Sequence, residues 1–181
     1  MKIPFYYCDI PNFGDALNPV IFDRLAGIDI REAPVDFARI MGIGSLGDNL
    51  LVDAKDGAFN ENPIALFSTG IGFEEGQFPH NPNIVLPERL RRNVKCYALR
   101  GKLTDARLSK MLGRPTGAVL GDGGLLVRYL VDADKIEKKY DLGIVPHYAD
   151  SGNAIFSAIA RRVPNSRILD PTRTVDGFLK D

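Results

Sequence analysis

Arg100 closes an apolar run, Val94–Leu99 (VKCYAL), and Gly101 follows it immediately. An arginine at that junction stands beside the free N–H groups of the helix it opens. Its fixed, bidentate donors then suit a carboxylate or a phosphate. The alternative is a solvated surface arginine. The segment Asn12-Phe13-Gly14-Asp15-Ala16-Leu17-Asn18 offers complementary chemistry. Gly14 lets backbone approach a ligand, while Asp15 and Asn18 could bond sugar hydroxyls or simply make an ordinary turn with an asparagine cap. Asp122, within Gly121-Asp122-Gly123-Gly124, either places a carboxylate at a cleft or forms a tight Asp-Gly turn. His147 follows a short strand in a loop with Tyr148 and Asp150, where an acid or hydroxyl-binding role is open to it.

Other candidates carry less. Gly42-Ile43-Gly44 and Gly70-Ile71-Gly72 fit strand-to-helix turns, and neither has the spacing of a dinucleotide fingerprint or a P-loop. Arg89, Arg91 and Arg92 lie in a polar helix end and read as surface charges, and His80 reads as surface in a Pro/Asn-rich loop. No Ser-His-Asp or Cys-His set assembles, and no His/Cys/Asp spacing suggests a metal.

These residues need a scaffold, and the pattern supplies one. Ile3–Ile10 reads as a strand; Asn18-Pro19 and Gly27 read as the start and stop of a helix. Phe37–Gly42, Pro63–Phe67, Val94–Leu99 and Ala118–Leu120 read as further strands. A helix is predicted over Lys102–Leu112, with Leu108, Met111 and Leu112 inward and Gly113 as its stop. After the charged stretch 132–141, a β-α-β follows: strand Leu142–Pro146, helix Asn153–Val163 and strand Arg167–Leu169. The prediction is an α/β chain with a Rossmann-like, mostly parallel sheet and helices on both faces, 1–131 as one lobe, 132–141 as linker and 142–181 as the start of a second. Ligands in such sheets bind beyond the carboxyl ends of strands, where the candidates fall.

Composition sets the outer limits. The chain has 181 residues, 23 basic against 23 acidic, which argues against a nucleic-acid partner. No apolar run is long enough for a membrane helix, and two cysteines are too few for a disulfide framework. A cytoplasmic location is the expectation.

Taken in order, the segments NFGDALN (12–18), GIGSLGD (42–48), STGIG (68–72), ALRGKLT (98–104), LGDGGLL (120–126) and GIVPHYAD (143–150) resemble the polysaccharide pyruvyl transferase family. The resemblance implies two Rossmann-like lobes similar to GT-B glycosyltransferases. It implies transfer of pyruvate from phosphoenolpyruvate to a pair of hydroxyls on a saccharide or lipid-linked oligosaccharide, with no further cofactor and no metal. It places the donor's carboxylate or phosphate on Arg100, acceptor or structural duty on Gly14 and Asp15, and the opening of the second lobe at Pro146-His147-Tyr148. The family has Gly-Asp-Pro where this chain has Gly121-Asp122-Gly123. Its general-acid histidine belongs to a Ser-x-x-His-Gly-like segment, which the resemblance places beyond Asp181 and which this sequence does not contain. That leaves His147 as the candidate and makes inactivity of this chain the expectation. Two rivals stand beside this reading: a non-catalytic sugar- or anion-binding module, and a GT-B glycosyltransferase using a nucleotide sugar. A part-built second lobe would expose apolar faces that must pack on the first lobe or on another chain, as in a homo-oligomer.

Overall fold

The computed structural model describes residues 1–50, 62–72 and 86–180. His80 and Asp181 lie outside them, and with Asp181 the expectation of a general-acid histidine beyond it. Strands β1 (Ile3–Tyr6), β2 (Ile30–Glu32), β3 (Ile40–Met41), β4 (Ile64–Thr69), β5 (Val94–Leu99) and β6 (Val119–Leu120) form one sheet in the order β2-β1-β3-β4-β5-β6. Every pairing in it is parallel. The chain is therefore α/β and doubly wound, as the alternation of apolar runs and helix signals implies. The direction of winding reverses between β1 and β3. That switch point opens a crevice at the carboxyl edge of the sheet.

Helices α1 (Phe13–Ala26), α2 (Glu88–Asn93) and α3 (Lys102–Leu112) dress the two faces. Strand alternation sorts the core accordingly. On one face Met41, Ile64, Leu66, Val94 and Leu99 pack with Leu108, Met111 and Leu112 of α3, the three residues expected inward. On the other, Phe5 and Ile43 pack with Leu17, Ile21 and Phe22 of α1. Phe22 meets Phe5 and Phe67 edge-to-face, with centroids 4.7 and 5.1 Å away. Such pairs add to what area burial already supplies.

Several boundaries differ from the sequence reading. Helix α1 begins at Phe13, and Pro19 lies inside it. A proline there cannot donate to the carbonyl of Asp15, four residues back. The Asn18 amide nitrogen donates to that carbonyl instead, at 3.0 Å, so the helix runs on. Asn18 is thus neither a cap nor a helix start. Gly27 does stop α1, at φ 64°. Strand β3 is only two residues long, because Pro34 starts a turn whose carbonyl accepts from the N–H groups of Phe37 and Ala38. The edge strand β2 carries exposed Arg31 and Glu32 and so has no apolar signature. β5, α3 and the Gly113 stop fall where the pattern puts them.

Beyond the sheet, β7 (Leu142–Ile144) and β8 (Ser166–Ile168) form a parallel pair joined through α4 (Ala154–Arg162). Asn153 caps α4 by accepting from the N–H of Ile155. Ile155 and Ile159 on α4 remain exposed, as does Val145. After β8 the chain returns to α1. The N–H of Phe13 donates to the carbonyl of Pro171, Arg24 grips Asp176 with two 2.8 Å bonds, and Phe13 stacks on Phe178 of the short helix α5 (Val175–Phe178). Among the described residues no helix is long and apolar enough to cross a membrane.

The buried Asn18 amide also holds β3. Its oxygen accepts from the N–H of Ile43 at 2.7 Å, and its nitrogen donates to the Ile43 carbonyl at 2.9 Å. Asn18→Ala strands these groups away from water, at a cost of about 1–3 kcal/mol for each unsatisfied one. Urea unfolding of that variant should show a loss of about 3 kcal/mol with an unchanged m-value.

Candidate functional site

A cleft of about 740 Å³ lies at the switch point. Asn12 before α1 and Gly14 and Asp15 in its first turn line it on one side, and the turn after β3 contributes Gly44 and Ser45. Arg100 enters from the end of β5, Asp122 from the end of β6, and His147 from beyond β7. Five of the six residues singled out in sequence therefore line one cavity: Gly14, Asp15, Arg100, Asp122 and His147. Asn18 does not. It is fully buried beneath the cleft, with its amide committed to backbone, so a hydroxyl-binding role is not open to it in this arrangement.

Arg100 sits at the centre. Its Nη1 donates to Ser45 Oγ at 3.0 Å. Its Nε lies 3.7 Å from Asp122 Oδ2, close enough for attraction but too far for a hydrogen bond, and it is buried without an acceptor. A guanidinium with an unused donor in a cavity can take a further acceptor, an anion among them. The adjoining N-terminus of α3, which no side chain caps, favours negative charge in the same place.

The guanidinium lies flat against Gly70. A Cβ at that position would come within 2.7 Å of Arg100 Cζ and 2.8 Å of Nε. A side chain at Gly70 would therefore push the guanidinium from its present place, and the Gly-x-Gly turn after β4 serves as the seat of the arginine. Neighbouring turns brace it. The N–H of Gly70 donates to the carbonyl of Gly44 at 2.8 Å, and that of Gly47 to the carbonyl of Gly70 at 2.9 Å. Ser68 adopts φ 60°, unusual outside glycine, and its hydroxyl donates to the carbonyl of Gly121 while accepting from the N–H of Gly123. The β4 turn is in this way tied to the turn carrying Asp122.

Asp122 serves two masters. Its Oδ1 accepts from the N–H of Gly124 at 2.8 Å and caps the 3-10 helix Gly123–Tyr129, while Oδ2 faces Arg100. The tight turn and the cleft carboxylate, alternatives in sequence, are one arrangement. Asp15 is buried, and Asn12 Nδ2 donates to its Oδ2. Burial pushes its carboxyl above the usual range, against the opposing pull of the Asn12 amide and the Arg100 charge. His147 is exposed, its Nδ1 accepts from the N–H of Ala149 at 3.3 Å, and its ring lies against Tyr148. It shapes a turn at the rim.

Sequence reasoning passed over Ser45 and Gly70 as individual site residues. Their only signal was membership of glycine-rich turns after strands. Among the described residues no group of three or more His, Cys, Asp or Glu could hold a metal ion. What the cleft can do is bind a small anion on Arg100 and accept hydrogen bonds from hydroxyls on Asp15 and Asp122.

Two outcomes follow from this geometry. Gly70→Ala should displace the guanidinium and weaken anion binding about tenfold or more, the loss of one charge-assisted contact, in calorimetric titrations. Asp15 is the second case. A carboxyl raised above its ordinary value of 3.8 makes the folded state hold its proton more tightly, so ionisation costs stability. Asp15→Asn should therefore raise Tm at pH 7, and the gain should vanish as pH falls below that value. An offset equal at all pH values would refute the ionisation account.

Comparison with protein-family models, with curated proteins and with solved structures finds no match to this chain, and the chemistry of the cleft itself carries the functional reading.

Proposed function

We propose that the cleft is the donor site of a pyruvyl transferase-like protein, binding phosphoenolpyruvate next to a saccharide or lipid-linked oligosaccharide acceptor. The observation that carries this reading is Arg100, seated on Gly70 with a buried donor that has no acceptor. Phosphoenolpyruvate presents a carboxylate and a phosphate on adjacent positions, matching a planar guanidinium beside an uncapped helix start. Asp15 and Asp122 supply acceptors for sugar hydroxyls.

In the transfer so proposed, the enol CH₂ takes up a proton and C2 becomes electrophilic. Two acceptor hydroxyls form C–O bonds to C2 while the bond from C2 to the phosphate oxygen breaks. One hydroxyl proton replaces the proton taken up, and the other leaves with phosphate. Arg100 would neutralise the donor's charge and hold its phosphate as it departs. Glycosyl transfer from a nucleotide sugar is the rival whose donor would use the same arginine.

A specific observation favours a second reading, a sugar- and anion-binding module without turnover. His147, the histidine among the described residues, is exposed at the rim with its Nδ1 engaged by the N–H of Ala149, in the place of a turn-former. Binding and turnover separate the two. Phosphoenolpyruvate should bind saturably, and Arg100→Gln should weaken it at least tenfold, the worth of one charged contact. Phosphate release on adding a diol-bearing sugar, followed by ³¹P NMR, would favour transfer; binding without release would favour the module. Unaltered binding in Arg100→Gln would defeat both.

A further inference from the structure

The opposite edge of the sheet carries a second cleft, about 750 Å³ in volume, which the function proposed above does not use. It lies where β5 begins, between the end of α2 and the turn from α3 into β6, at the amino ends of the parallel strands. Arg91, Arg92, Lys95 and Arg114 line it, with Glu88 as its carboxylate. Glu88 is bound to Arg92 four residues on. Arg91, Lys95 and Arg114 have no carboxylate partner among the described residues. A chain of zero net formal charge thus concentrates three unneutralised cations around one cavity.

Two of the three are fixed in place. Arg114 Nη2 donates to the carbonyls of Val94 and Arg91 at 2.9 and 3.2 Å, which clamps its guanidinium over the end of α2. Arg91 lies over Gly113, where a Cβ would be 3.2 Å from its Nη1, and its Nε is buried without an acceptor. Gly113 sits at φ 65°, so the same residue that ends α3 also leaves room for this arginine. Lys95 and Tyr97 alternate on one face of β5, and the Tyr97 ring is 66% exposed beside the charges.

Cations held close together without counter-charges repel one another, and a multivalent anion relieves the repulsion at all of them at once. The volume of the cavity falls in the range of small-molecule sites. We propose that this cleft binds a small ligand through a pyrophosphate group, with Arg91, Lys95 and Arg114 on its oxygens and Tyr97 available to a base or sugar ring attached to it. The shared chemistry is the diphosphate, which inorganic pyrophosphate and a nucleoside diphosphate both carry.

Calorimetric titration of the full chain with inorganic pyrophosphate, and separately with ADP, tests the assignment. Both should bind saturably, with affinity falling as salt rises. With the anion site of the first cleft removed by Arg100→Gln, Lys95→Ala, at an exposed side chain, and Arg91→Gln should each reduce the remaining affinity about tenfold. Tyr97→Leu should weaken ADP and spare pyrophosphate if the ring stacks on a base; equal effects on both would confine the site to the diphosphate itself and still support it. Absence of saturable binding at millimolar ligand would overturn the proposal. So would binding that survives both basic-cleft variants, or that disappears in Arg100→Gln. A circular-dichroism melt of each variant keeps loss of fold apart from loss of site.

Discussion

Helix α1 carries a proline in its middle and still runs unbroken from Phe13 to Ala26, and Asn18 reconciles the two. Its amide takes over the Asp15 carbonyl that Pro19 cannot serve and spends its remaining capacity on both polar groups of Ile43. This welds the first turns of the helix to the end of β3. The fit leaves no slack: a Cβ on Gly42 would stand 2.1 Å from the Asn18 oxygen and 2.4 Å from the Phe5 ring. The positions of Asp15, one turn above, and of Gly44, just past Ile43, follow from that weld. Both face the crevice because one buried side chain sets the distance between its two walls.

The crevice is assembled from turns that would each be ordinary alone. Gly70 seats the arginine, Gly44 and Gly47 hold Gly70, and Ser68 carries the bracing across to the turn of Asp122. Backbone hydrogen bonds supply most of this bracing, while Asp15, Arg100 and Asp122 bring their charged groups into the crevice, each held by a partner of its own. Burial of Asp15 and the unmatched nitrogen of Arg100 run against stability, which is the usual sign that a local arrangement answers to something besides folding.

The sheet and the cleft differed in how far they could be read from sequence. β5, α3 and Gly113 carry strong local signals, an apolar run followed by amphipathic spacing and a glycine in the left-handed region, so local and tertiary preferences agree there. β2 pairs at an edge through backbone alone, and Arg31 and Glu32 give it no pattern to detect. Asn18 misled because an Asn-Pro pair is a sound cap signal, and only a tertiary partner, Ile43, turns it into an internal brace. The cleft residues were legible as a group since strand ends in a parallel sheet share one edge. The seating of Arg100 on Gly70 was not, because it depends on the register of β4 against β5, which no local pattern encodes.

The return of the chain to α1 has a consequence in time. Arg24 and Asp176 are separated by 152 residues, yet they and the Phe13–Phe178 stack seal the outer surface of the first helix in the fold. During synthesis α1 can settle on β1 and β3 long before residues 171–178 exist, so its flank waits unclothed until that segment has been made. Closing so long a loop is entropically slow, and the same contacts should be the first to let go. The helix that bears Asp15 is therefore clasped last and released first, and the temper of the cleft's floor is governed by a segment that never enters it.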